Sequence, residues 1–122
     1  MKPHPRAQTL AAAVAGRDLE RLGSEFDDQI RLRALLPGGP IEVHGREAAL
    51  AEFDRWFGSY RQVDLVEAAG EEVGDRLLVH YRLSFEPDED PHVLTQTWVS
   101  TLRDGRLSRI DLLCSGFRKG DR

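Results

Sequence analysis

The sequence predicts an α+β domain in which a curved antiparallel sheet wraps around N-terminal helices and one long helix. Two patterns predict it. Helical spacing of apolar residues is confined to the first half of the chain and is densest in "GREAALAEFDRWFGSY". From Arg61 onward the period is two in four successive segments, "RQVDLVEAAG", "DRLLVHYRLSFE", "HVLTQTWVSTLR" and "RLSRIDLLCSGF".

Each element has its own signal. "MKPHPRAQTLAAAVAG" reads as an alanine-rich helix; its apolar run from Leu10 to Ala15 is short and Gln8 and Thr9 precede it, so neither a signal peptide nor a membrane span is expected. In "DLERLGSEF", Leu19, Leu22 and Phe26 recur at helical spacing and Asp18 is placed to cap the first turn. "QIRLRALL" alternates, with Ile30, Leu32 and Ala34 on one face and Gln29, Arg31 and Arg33 on the other. "PGGP" then reverses the chain into the short strand "IEVHG". In the long helix Ala49, Leu50, Phe53, Trp56, Phe57 and Tyr60 form one broad stripe.

Among the strands, Leu77, Val79, Tyr81, Leu83 and Phe85 are expected to point inward and Leu78, His80, Arg82, Ser84 and Glu86 outward. Asp104-Gly105 suits a two-residue turn in which both residues have positive φ. Its register sets Val99 opposite Ile110, Thr97 opposite Leu112 and Thr95 opposite Cys114, unless a β-bulge shifts the pairing. Val93, Thr95, Thr97, Val99, Ile110, Leu112 and Cys114 then face inward. Leu94, Gln96, Trp98, Leu102, Asp111 and Leu113 face outward. An outward Trp98 and Leu113 need cover, so a homodimer interface is expected at Leu94, Gln96, Trp98 and Leu113, with the C-terminal segment or a loop as the other possible cover.

At 122 residues the chain fits one domain, 1–122, burying about two-thirds of its unfolded surface. A lone cysteine forms no internal disulfide, which makes the cytoplasm the expected compartment. The 21 acidic and 17 basic residues give a charge of −4, against a nucleic-acid-binding surface. The tail "RKGDR" is expected to fray, and "EPDEDP" is an acidic loop without calcium-site spacing. His4, His44, His80 and His92 are scattered, so no metal is expected, and "PGGP" lacks a phosphate-binding lysine; no cofactor is expected either.

Three stretches together, "GRDLERLGSEFDD" leading into a strand, "LPGGPIEVHGREAALAEFDRWF" as hairpin plus helix, and "LRDGRLSRIDLLCSGF" as terminal hairpin, carry a resemblance over nearly the whole chain. The chain resembles the nuclear-transport-factor-2-like superfamily, which includes ketosteroid isomerase and polyketide cyclases. That resemblance implies a cone-shaped α+β barrel with an apolar pocket, commonly dimeric through its outer sheet face. It implies no single reaction, since the fold hosts enzymes, binding proteins and transport adaptors. Isomerases of this kind use a carboxylate base near the end of the first strand, with a tyrosine and a protonated acid as oxyanion donors. Here that strand end reads Arg33, Ala34, Leu35, Leu36, alanines stand where the tyrosine is expected, and Trp98 and Val99 stand where the acid is expected. Steroid isomerisation by that route is therefore not expected, and the Asp-Arg-Asp arrangement of the epoxide hydrolases has no secure match.

The candidate ligand-binding set is Phe53, Trp56, Phe57, Tyr81, Thr95, Thr97, Leu112 and Cys114, an apolar wall with a few polar handles. Cys114 has no His, Lys or Arg beside it on the expected face to lower its pKa, which favours a wall residue over a nucleophile. The leading expectation is a domain binding an apolar or aromatic small molecule. The alternatives are a cyclase, isomerase or hydrolase using Tyr81, Asp54 or Cys114 for proton transfer, and an adaptor acting through the outer sheet.

Overall fold

A computed structural model describes residues 2–86 and 92–119. The elements are helix α1 (Pro5–Ala15), helix α2 (Leu19–Glu25), strand β1 (Phe26–Leu36), strand β2 (Gly39–His44), helix α3 (Arg46–Phe57) and strands β3 (Gln62–Val73), β4 (Arg76–Glu86), β5 (His92–Arg103), β6 (Arg106–Cys114) and β7 (Arg118–Lys119). Among the described residues no helix is long and apolar enough to cross a membrane. The acidic stretch expected as a loop falls, from Pro87 on, outside the described residues. Arg118 and Lys119, expected to fray, instead pair with Val93 and His92 of β5.

Local chemistry starts each helix where the sequence places it. Pro5 opens α1 without wasting a donor, and the His4 ring accepts from the Ala7 N–H. Asp18 caps α2 by accepting the Arg21 N–H at 3.0 Å. Arg6 ties the two helices with an ion pair to Glu25 at 2.9 Å. Arg46 of α3 donates to the Phe26 carbonyl at the start of β1.

The strands form one curved, unclosed sheet in the order β2-β1-β6-β5-β4-β3. It is antiparallel except where β1 runs parallel to β6. Its inner face buries Ile30 and Leu32 from β1, Leu77, Val79, Tyr81, Leu83 and Phe85 from β4, and Leu107, Ile110 and Leu112 from β6. Helix α1 seats on β3 and β4 so closely that a Cβ on Gly70 would lie 2.4 Å from the Ala7 Cβ and 2.7 Å from the Leu78 carbonyl oxygen. At the other edge, Arg31 donates to Glu42 across β1 and β2 at 2.7 Å and, with His44, holds the Glu42 carboxyl below its ordinary range.

The terminal hairpin corrects one expectation. Asp104 and Gly105 both have positive φ, and Arg103 pairs with Arg106 as the turn requires. One residue further on the ladder slips: Leu102 pairs with Leu107 but Thr101 pairs with Arg109, so Ser108 is the extra residue of a β-bulge and donates to the Thr101 carbonyl. Beyond the bulge Trp98 sits opposite Leu112, Gln96 opposite Cys114 and Thr97 opposite Leu113. Every β5 side chain therefore lies on the face opposite to the unbulged register: Leu94, Gln96 and Trp98 are buried inside, and Thr95 and Thr97 are outside. Two driving forces favour the slip. It buries the Trp98 indole, and it lets Leu107 and Ile110, three residues apart, both point inward.

Candidate functional site

At one end of the sheet's inner face a pocket of about 500 Å³ is lined by Leu36 and Pro37 from the end of β1, Trp56 from α3, Leu94 and Gln96 from β5, Cys114 from β6 and the turn Ser115-Gly116-Phe117. The turn is held close by a glycine. Gly116 has φ of +74°, and a Cβ there would lie 2.5 Å from Pro37 Cγ, so only glycine brings the chain this near β1. The same turn sets Phe117 at the mouth, its ring 5.5 Å from Tyr60 and 5.0 Å from Phe85.

Behind the pocket runs a buried polar chain. The Trp98 indole Nε1–H donates to the Tyr81 hydroxyl at 2.9 Å, and that hydroxyl donates to Gln96 Oε1. Gln96 is 1% exposed. Burial drives the Tyr81 pKa well above its ordinary value, partly opposed by the Trp98 hydrogen bond and reinforced by Cys114 nearby. The phenol is therefore a neutral donor and not a base. Because the folded pKa is raised, its contribution to stability is complete below the unfolded tyrosine value of about 10 and is lost as pH climbs toward the folded value. An absorbance titration at 295 nm is expected to show Tyr81 ionising only together with loss of the near-UV circular dichroism of the fold, and Tyr81→Phe is expected to remove that phase.

Ser115 and Cys114 at the pocket are engaged by the turn itself. Ser115 Oγ donates to the Gly116 carbonyl at 2.8 Å and accepts the Thr95 N–H at 2.9 Å. Cys114 Sγ accepts the Gly116 N–H at 3.4 Å. No charged side chain is among the lining residues, and among the described residues no cluster of His, Cys, Asp or Glu could hold a metal ion.

Of the expected ligand-binding residues, Trp56 and Cys114 line this pocket. Tyr81 and Leu112 face the same interior as buried core residues. Phe53 and Phe57 are also core: Phe53 packs against Phe26, Trp56 and Trp98, and Phe57 against Trp56 and Phe85. Thr95 and Thr97 lie on the outer face, where Thr97 Oγ1 bonds His80 Nδ1 at 2.9 Å. Leu94, Gln96 and Trp98, expected at an interface, are inside, while Leu113 is outside and 57% exposed. Asp54 is exposed on α3 and lines no part of the pocket. Leu36, Pro37 and Phe117 had one legible signal, an aromatic directly after a turn glycine in "SGF". Gln96 was hidden by the bulge.

Solved structures share this architecture. A proposed polyketide cyclase from Xanthomonas campestris superposes with a TM-score of 0.68 at 19% identity, covering 87% of this chain and 84% of that one. A protein of ketosteroid isomerase-like fold from Catenulispora acidiphila, solved with trimethylamine, superposes with a TM-score of 0.68 at 16% identity, covering 92% and 85%. An NTF-2-like protein of unknown function from Burkholderia xenovorans gives 0.65 at 17% identity, covering 97% and 84%. At such identities the likeness is one of fold. No curated protein matches the chain. The model of the SnoaL-like domain matches residues 7–110, nearly the whole folded body, and the chain therefore belongs to the SnoaL-like family of the NTF2-like superfamily.

Proposed function

We propose that this domain binds a small, largely apolar molecule in the pocket at the Trp56 end and pairs with a second copy through its outer sheet face. The observation that carries the first part is the lining: apolar walls, no charge, and Gln96 as a buried polar handle. The small-molecule complex of the Catenulispora protein supports the same kind of use for the fold. Proton-transfer chemistry has little support, since Tyr81 is held neutral by burial and Asp54 is outside the pocket. Titration with the neutral dye N-phenyl-1-naphthylamine is expected to give saturable fluorescence enhancement. Trp56→Ala removes one aromatic wall and is expected to weaken binding by about tenfold. Binding that does not saturate, or that ignores Trp56→Ala, would overturn the reading.

For the second part, Leu35, Val99 and Leu113 are 52%, 42% and 57% exposed on the outer face and share a groove with Pro40 and Ile41. Charges of both signs border it: Arg31, Arg33 and Arg109 against Glu42 and Asp111, paired with one another. A two-fold copy laid on such a face meets apolar surface at the centre and complementary charge at the rim. Sedimentation at micromolar concentration is expected to show a dimer, and Leu113→Glu a monomer that keeps its secondary structure. A monomeric unaltered protein would remove the pairing without touching the pocket.

A further inference from the structure

We infer that the pocket selects neutral ligands bearing a carbonyl oxygen and that the Gln96 amide is the group that reads it; the inference rests on the pocket being the ligand site. The polarity is set three residues deep. An indole N–H only donates, so Trp98 fills one lone pair of the Tyr81 oxygen. The single tyrosine proton must then find an acceptor in a fully buried position, and the acceptor is Gln96 Oε1. Turning the amide over would aim a second donor at that oxygen and leave the tyrosine proton unmatched. The amide is therefore locked with its oxygen toward Tyr81 and its NH₂ away from it, on the side where Gln96 borders the pocket.

Among the described residues no acceptor is paired with that Nε2, although Gln96 is 99% buried. The Nε2 is not sealed from the pocket, so a ligand acceptor pairs with it where a wholly apolar ligand would bury it unmatched. The Gln96 amide is the most deeply buried donor in the lining. Ser115 Oγ and Cys114 Sγ are already engaged, and the Trp56 indole N–H, on a half-buried side chain, is the remaining side-chain donor and favours the same acceptor chemistry. An anion would have no cation to offset its desolvation. A ligand whose polar group only donates would meet the wrong end of the amide. A ketone, ester or amide carbonyl on an apolar body satisfies the site.

The test uses two probes of nearly the same shape, 2-acetylnaphthalene and 2-isopropenylnaphthalene, which differ by C=O against C=CH₂. Binding is followed by quenching of tryptophan emission and checked by calorimetry. The unaltered protein is expected to bind the ketone about three- to tenfold more tightly than the alkene, as one buried hydrogen bond allows. The bound ketone's ¹³C=O stretch is expected to shift to lower frequency than in hexane. In Gln96→Leu the ratio of ketone to alkene affinity falls to about one and the carbonyl band returns to its apolar position. Equal affinity of the unaltered protein for both probes, or an unshifted carbonyl, overturns the inference and leaves the pocket reading standing. Failure of both probes to bind overturns the pocket reading together with it. Since the first comparison needs no substitution, the inference stays testable even if Gln96→Leu does not fold.

Discussion

Replacing Trp98 with alanine lowers the unfolding free energy by about 3–5 kcal/mol, the range for deleting a large aromatic from a core that only partly relaxes. The side chain is fully buried on β5, its ring 5.6 Å from Phe53 and edge-on to Tyr81 at 5.8 Å. Its loss also deprives the Tyr81 oxygen of a donor. Urea unfolding measured at two protein concentrations checks both size and origin. A core tryptophan gives the same loss at each concentration, whereas one buried against a partner gives a loss that depends on concentration. A penalty below 1 kcal/mol, or one that vanishes on dilution, would mean that Trp98 faces outward and that the bulge at Ser108 is wrong. Trp98→Phe keeps most of the ring and is expected to cost less.

The second large effect is at the opposite side of the core. Gly70→Ala is expected to destabilise the fold by about 1–3 kcal/mol, the range for forcing an extra methyl into a packed interior. The new Cβ would meet both the Ala7 side chain and the Leu78 carbonyl, and β3 cannot back away freely because its Gly70 N–H is bonded to the Lys2 carbonyl at 2.8 Å. Adding Ala7→Gly removes one of the two clashes, so the double variant is expected to recover part of the loss. A double variant no better than the sum of its parts would show that α1 does not rest on Gly70.

Much of this architecture is legible because local chemistry and burial agree. The alternation from Leu77 to Phe85 names an inward face that is buried at every position. Asp18, ahead of Leu19 and Leu22, is both a capping residue by type and the observed cap. Asp104-Gly105 adopts the positive φ values that its residue types favour. The pairing of β1 with β6 is a different matter. It joins residues far apart in the chain, in parallel, and no periodicity within either strand announces a neighbour.

The candidate site is less legible because it depends on one residue of register. Gln96 and Thr97 differ by a single step along β5, and a bulge decides which of them enters the core. The spacing of Leu107 and Ile110, odd for a regular strand, is the only local hint of that bulge. The pocket wall also draws on the turn at Gly116, whose contact with Pro37 joins residues far apart in the chain.

The sequence by itself determined the α+β class, the helix starts, the inward face of β4 and the turn that closes the last hairpin, because periodicity and turn chemistry act over a few residues. Only the tertiary structure decided which side of β5 is inside, since burying the Trp98 indole outweighs a regular ladder. That choice left Thr97 beside His80 on the outer face. It placed Gln96 between Tyr81 and the pocket, where a donor-only indole two residues away fixes the direction of its amide.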